Sequence, residues 1–294
     1  MVFLDDSKRA IGLLDSGVGG LTVAREIFKL LPGEDIIYYG DTLHLPYGPK
    51  KLSEVREYVE NIIAYLKQEK NVKAVVIACN TGSSAALDYV KQKFEIPIFG
   101  MIDSAAKKAV KVSQNNKIAV IGTEGTINSQ AYQKAIKYES AESEIFAKAC
   151  PGFVKLVEAG KFSGPEVEKT AYRYLESIIK AKVDVLILGC THFPYLMPVL
   201  AKVMGKDVML VNPAQETALK FRKELNKANL LNKDIFLNKD IVEGEHKFIV
   251  SDESRISKSF LEHGRRFLKL DNLEFKEENI FLALKNRGGN LNNA

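Results

Sequence analysis

The sequence predicts an α/β protein of two similar domains. Each is a mainly parallel sheet flanked by helices, and the two are pseudo-twofold related, with the active site in the cleft between them. Three observations lead there. Short β-branched runs alternate with long amphipathic segments, and parallel neighbours require crossovers of that kind. The pattern then restarts: Ile118-Ala-Val-Ile-Gly-Thr123 echoes Ile11-Gly-Leu-Leu-Asp-Ser16 at a shift of 107 positions. Finally, Cys79 and Cys190 follow equivalent apolar runs, 111 positions apart. Two landmarks in the same order at nearly the same shift argue for duplicated halves over coincidence among generic strands.

The elements follow in order. A strand is expected over 10–14, a helix over 20–31, and a second strand over 36–39. A helix over 51–70 carries Leu52, Val55, Val59, Ile62, Ile63 and Leu66 on one stripe. A strand over 73–78 and a helix over 83–94 follow, and Pro97 and Gly100 punctuate the end of the first half. The second half opens on the strand at 118–123 and carries the run Val185-Leu186-Ile187-Leu188 before Cys190, and Asn212-Pro213 closes it. A helix over 218–227, a strand over 247–250 and a helix over 253–263 are expected to return to the first domain. The domains are thus 1–100 with 214–294, and 101–213. The tail after Lys269 ends in Gly-Gly-Asn-Leu-Asn-Asn and is expected to be mobile at its last residues.

Composition bounds the function. With 294 residues, 46% hydrophobic and 27% charged, the chain can bury a sizeable core. The net charge of +5 comes from 42 basic and 37 acidic residues, too scattered to argue for nucleic acid. Lys107-Lys108 and Arg265-Arg266 are isolated pairs on a solvated surface. No apolar run approaches the roughly 20 residues of a membrane span, and charge interrupts the first nine residues at once. Three cysteines make an odd number with no zinc spacing. A cytoplasmic protein is expected, with no membrane partner.

Ligands of open α/β sheets sit beyond the carboxyl ends of the strands. Here those ends carry Asp15-Ser16, Asp41, Cys79-Asn80-Thr81 and Cys190-Thr191-His192, with Thr123 and Thr126 on a fifth loop. Facing halves would bring the two thiols to opposite walls of one cleft. A disulfide fits a reducing compartment poorly, Cys-x-x-Cys is absent, and a single nucleophile leaves one thiol unexplained. Inversion at a carbon acid uses both: one sulfur base removes a proton and the other returns one from the opposite face. A thiol of pKa about 8.5 is within reach of neutrality. Asn80, Thr81, Thr191 and backbone amides can stabilise the charge that develops, and Asp15 and His192 can tune the two sulfurs.

Plainer readings stand beside these. Either cysteine could be a small buried hydrophobe; the paired setting and polar flanks favour chemistry. Cys150, before a proline and without polar partners, reads as packing. Gly17-Val18-Gly19-Gly20 lacks the Lys-Ser/Thr of a P-loop and reads as a turn exposing amides to a carboxylate. His44, His246 and His263 are left structural. Glu158 could be solvent-facing, and Asp41 could cap its loop.

The motifs Asp15-Ser-Gly-Val-Gly-Gly-Leu-Thr-Val23, Gly40-Asp41-Thr42 with Pro46-Tyr47-Gly48, Cys79-Asn80-Thr81, Cys150-Pro151 with Leu156-Val157-Glu158, and Cys190-Thr-His-Phe-Pro194 occur in order across residues 10–265. Through them the chain resembles the glutamate racemases of the aspartate/glutamate racemase family. The resemblance implies cofactor-independent interconversion of L- and D-glutamate for peptidoglycan, without pyridoxal phosphate or metal, by a homodimer. It implies that Cys79 and Cys190 are the catalytic bases. Asp15 would assist Cys79, and His192 and Glu158 would assist Cys190. Asp15, Ser16, Tyr47, Gly48, Asn80, Thr81, Thr191 and His192 would bind substrate, with Thr123 and Thr126 as further carboxylate contacts. Leu43-His44-Leu45 stands where the family commonly has a basic residue, and Gly152 and Lys155 replace apolar ones. Rival readings are an aspartate or hydantoin racemase of the same fold, a protein that binds an acidic ligand without reacting, and an inhibitor of a nucleic-acid enzyme, for which the charge gives no support.

Overall fold

The structure, a computed structural model, describes residues 6–232, 243–270 and 273–282. The chain runs β1 (Ile11–Asp15), α1 (Leu21–Leu30), β2 (Ile36–Gly40), α2 (Leu52–Gln68), β3 (Ala74–Ile77), α3 (Asn80–Lys93), β4 (Ile98–Phe99) and α4 (Ile102–Val112). It continues through β5 (Lys117–Gly122), α5 (Glu124–Asn128), α6 (Ala131–Glu139), β6 (Glu144–Ala149), α7 (Pro151–Glu158), α8 (Pro165–Lys180), β7 (Val185–Gly189), α9 (Met197–Met204) and β8 (Met209–Val211). Then come α10 (Pro213–Lys227), β9 (His246–Val250), α11 (Lys258–Leu268) and β10 (Phe275–Glu277).

Among the described residues two sheets form, and every strand pairing is parallel. The first has the order β10-β9-β2-β1-β3-β4 and the second β6-β5-β7-β8. Within the larger sheet, β2-β1-β3-β4 repeats the order of the smaller one. Cys79 follows β3 and Cys190 follows β7, the same place in each repeat. The two similar halves expected from the sequence are therefore present. β1, β3 and β7 are buried along their whole length, as continuous apolar runs in a doubly covered parallel sheet should be.

The helices follow their apolar faces. On α2, Val55, Val59, Ile62, Ile63 and Leu66 are fully buried, while Leu52 at its start is only half-buried. Each such side chain contributes about 1.5–3 kcal/mol on burial. Three boundaries differ from expectation by three residues or more. Helix α3 starts at Asn80 rather than at 83, because Cys79 caps it through an Sγ contact with the Gly82 N–H. Helix α10 starts at Pro213, where the Asn212 side chain accepts the Ala214 N–H. The helix expected over 253–263 is instead a 3-10 turn (Glu253–Arg255) followed by α11. The Asp252 carboxylate accepts the Ser254 N–H and fixes that turn. The last residues of the tail, expected to be mobile, lie outside the described residues.

β9 pairs with β2, and β10 with β9, so the C-terminal strands extend the first sheet. A buried ion pair joins the same region. Lys73 and Glu34 are both fully inside; Lys73 Nζ donates to Glu34 and to the Ser7 carbonyl, and Glu34 Oε1 accepts the Asn232 N–H at 2.9 Å. Removing one partner of such a pair strands the other charge. Lys73→Met is therefore expected to cost about 3–5 kcal/mol of unfolding free energy in urea titration.

Candidate active site

The carboxyl ends of the two sheets face each other around a cavity of about 400 Å³. Cys79 enters it from β3 and Cys190 from β7, and neither sulfur is in a disulfide. Ser16, Tyr47, Gly48, Asn80, Thr81, Thr123, Thr191 and His192 also line it. Of the residues predicted from sequence, Asp15, Thr126 and Glu158 stand behind this wall rather than on it.

Close approach depends on glycines at the lobe boundary. A Cβ on Gly19 would sit 2.5 Å from His192 Cε1, and one on Gly48 would sit 2.9 Å from Thr123 Cβ. Hydrogen bonds then tie the lobes. Thr22 Oγ1 donates to the Thr191 carbonyl at 2.9 Å, and the Gly125 N–H donates to the Gly48 carbonyl at 2.8 Å. Thr81 Oγ1 lies 2.8 Å from Thr123 Oγ1 and 3.1 Å from Thr126 Oγ1. Thr126 is fully buried there, so it holds two cavity hydroxyls from behind.

The two sulfurs have different surroundings. Cys79 caps α3, and its Sγ accepts the Gly82 N–H at 3.3 Å. Burial pushes its thiol up to about 12, the charge of Asp15 adds to this, and the Gly82 N–H and Ser16 hydroxyl oppose it. Asp15 is itself raised by burial. His192 and the N–H groups of Gly20, Gly17 and Ser16 pull it back down. Its Oδ2 accepts from Gly20 N at 2.9 Å and from Gly17 N at 3.3 Å, while Oδ1 has no hydrogen-bond partner among the described residues.

On the other wall Cys190 Sγ lies 3.7 Å from His192 Nδ1, and His192 Nε2 lies 2.5 Å from Glu158 Oε1. Burial pulls His192 down, but its bonds to Cys190 and Glu158 outweigh that and hold the imidazolium well above the usual histidine range. A carboxylate–imidazole–thiol chain results.

Asp41 is an organiser of the Tyr47 loop. Its Oδ2 accepts the Tyr47 hydroxyl at 2.6 Å, its Oδ1 accepts Ser251 Oγ–H at 3.0 Å, and His44 Nδ1 lies 2.9 Å away. Tyr47 thus lines the cavity while its hydroxyl points at Asp41. Cys150 is fully buried and lies outside the cavity wall, in keeping with packing.

Sequence reasoning missed Leu45, Pro49, Glu124, Val154 and Lys155 as wall residues. Pro151, Val154 and Lys155 fall at i, i+3 and i+4 of α7, so one helix face meets the cavity; that spacing was visible, but its direction was not. A larger open groove of about 1050 Å³ between α3, α4, α6 and α10 holds neither thiol. Among the described residues no group of three or more His, Cys, Asp or Glu is placed to hold a metal, and no helix is long and apolar enough to cross a membrane.

Comparison with known proteins identifies the family and the fold. The Asp/Glu/Hydantoin racemase family model matches residues 11–220. A glutamate racemase from Geobacter metallireducens is 43% identical over 260 residues, covering 88% of this chain and 93% of that protein. One from Listeria monocytogenes is 40% identical over 251 residues, covering 85% and 92%. Among solved structures, a glutamate racemase isoform from Bacillus anthracis superimposes with a TM-score of 0.84 at 35% identity, covering 92% of this chain and 98% of that one. The Francisella tularensis glutamate racemase in complex with D-glutamate gives 0.82 at 33% identity, with the same coverage.

The His192 environment is testable directly. Glu158→Gln keeps a hydrogen-bonding group but removes the charge, so the imidazole pKa should fall. NMR titration of the labelled His192 ring would record the drop.

Proposed function

This chain belongs to the Asp/Glu/Hydantoin racemase family, and we propose that Cys79 and Cys190 carry its reaction as two opposed bases. The protein racemises glutamate, an isomerisation. The observation that carries the two-thiol reading is one cavity lined by both sulfurs, one from each sheet.

In the L-to-D direction one sulfur, as thiolate, takes the α-hydrogen as a proton. The C–H bond breaks, an S–H bond forms, and the electron pair spreads into the α-carboxylate. The second thiol gives its proton to the opposite face of the carbon and becomes the thiolate. The reverse direction exchanges the roles. Every proton transfer is then between substrate and the chain's own sulfurs, and no step passes through a pyridoxal or a metal.

The surroundings suit these steps. Burial and the Asp15 charge favour the neutral thiol at Cys79. A substrate ammonium beside it would offset the Asp15 charge and bring the thiolate within reach. His192, held cationic between Cys190 and Glu158, would keep charge balanced at Cys190 as its proton leaves and returns. Ser16, Asn80, Thr81, Thr123 and Thr191 offer donors to the two carboxylates, and Gly48 and Tyr47 close the wall. Asp15 assists Cys79, and Thr126 acts through Thr81 and Thr123. Burial of these groups strengthens each of these interactions.

We assign residues 1–100 with 214–294 to one domain and 101–213 to the other. We further propose a cytoplasmic homodimer that supplies D-glutamate to peptidoglycan. Sedimentation equilibrium should return twice the chain mass.

Purified protein without added cofactor should erase the circular dichroism of L-glutamate, and L-aspartate should turn over far more slowly. Cys79→Ser and Cys190→Ser should each cost about 10³-fold or more in racemisation with far-UV spectra unchanged. Near-normal racemisation by either variant would overturn the two-base reading.

A further inference from the structure

Behind Asn80 lies a tyrosine that no motif marked. Tyr132, on α6 in the half that carries Cys190, is fully buried and does not line the cavity. Its hydroxyl reaches across the lobe boundary and donates to Asn80 Oδ1 at 2.6 Å. Asn80 is the first residue of α3 and follows Cys79 directly. The Tyr132 ring also touches the strand that leads to the other sulfur: a Cβ on Gly189 would sit 3.1 Å from Tyr132 Cε2. One side chain therefore contacts the backbone before Cys190 and the side chain after Cys79.

We propose that Tyr132 is a positioning residue that fixes the polarity of the Asn80 amide. A carboxamide has an acceptor end and a donor end of nearly equal shape. The two orientations present opposite electrostatics to an anionic ligand. With the phenol donating to Oδ1, the amide is held with its two N–H groups away from Tyr132. Asn80 Nδ2 has no hydrogen-bond partner among the described residues and is not a buried orphan, so those N–H groups are available to the cavity. Burial raises the Tyr132 hydroxyl well above its usual range, so the phenol keeps the proton that it donates to Asn80 Oδ1. Because phenol and amide belong to different halves, this polarity is set only while the halves are closed on each other.

The inference rests on the reading that glutamate occupies this cavity and places a carboxylate near Asn80. Its test separates the two claims by using binding rather than turnover. In Cys79→Ser, isothermal titration with D-glutamate supplies the reference affinity. Adding Tyr132→Phe removes the hydroxyl alone and should weaken binding about ten-fold, the size of one hydrogen bond to a charged group. Adding Tyr132→Phe to Cys79→Ser/Asn80→Ala should change affinity less than about two-fold, because the residue it positions has gone. Equal losses in both backgrounds, or none in either, would overturn the positioning role. A merely structural tyrosine would give the former. Absence of D-glutamate binding by Cys79→Ser itself would overturn the glutamate reading beneath it, and this inference with it.

Discussion

The approach of two sheet ends to within side-chain distance is the constraint on which the remaining structure depends. Each half alone is an ordinary parallel sheet with polar residues at its carboxyl edge. Chemistry on both faces of one carbon needs those edges to meet. Gly19 against His192 and Gly48 against Thr123 leave no room for a Cβ. The hydrogen bonds from Thr22 and Gly125 hold the boundary that this creates. The cavity is the space left between two such edges.

That burial makes the site electrostatically demanding. Desolvation opposes charge on Cys79, Asp15 and His192 alike. The responses differ. Asp15 receives backbone N–H groups from the turn at Gly17–Gly20, whereas His192 is held cationic between a sulfur and a carboxylate. The two thiols are related by the fold's repeat, but the groups that tune them are unrelated. The proposed two-base reaction requires that either sulfur can be acid or base. It does not require that both be tuned by the same means.

Support for the cleft comes from far along the chain. Ser251, just after β9, donates to Asp41, which also holds the Tyr47 hydroxyl. Thr42 Oγ1 donates to the Asp252 carbonyl, and the Tyr39 hydroxyl donates to the Glu278 carbonyl. His44 stacks on Tyr58, with Phe281 at its edge. The C-terminal segment thus braces the loop that forms one wall. His44 thus fills an aromatic slot between Tyr58 and Phe281.

The sequence by itself determined what is local: the strand and helix alternation, the strand ends that carry polar groups, and the pair of thiols at repeated positions. Apolar periodicity and the residues beside a strand end are properties of a few neighbouring positions, so they can be read along the chain. Only the tertiary structure decided which of those groups share a wall. It put Thr126 behind Thr81 and Thr123, turned the Tyr47 hydroxyl to Asp41, joined Glu158 to His192, and brought Tyr132 to Asn80 and Lys73 to Glu34. Each of the last three pairs is more than 30 positions apart. Such partners are chosen by the packing of whole helices and sheets, and no local pattern encodes the direction in which a side chain will meet a distant one.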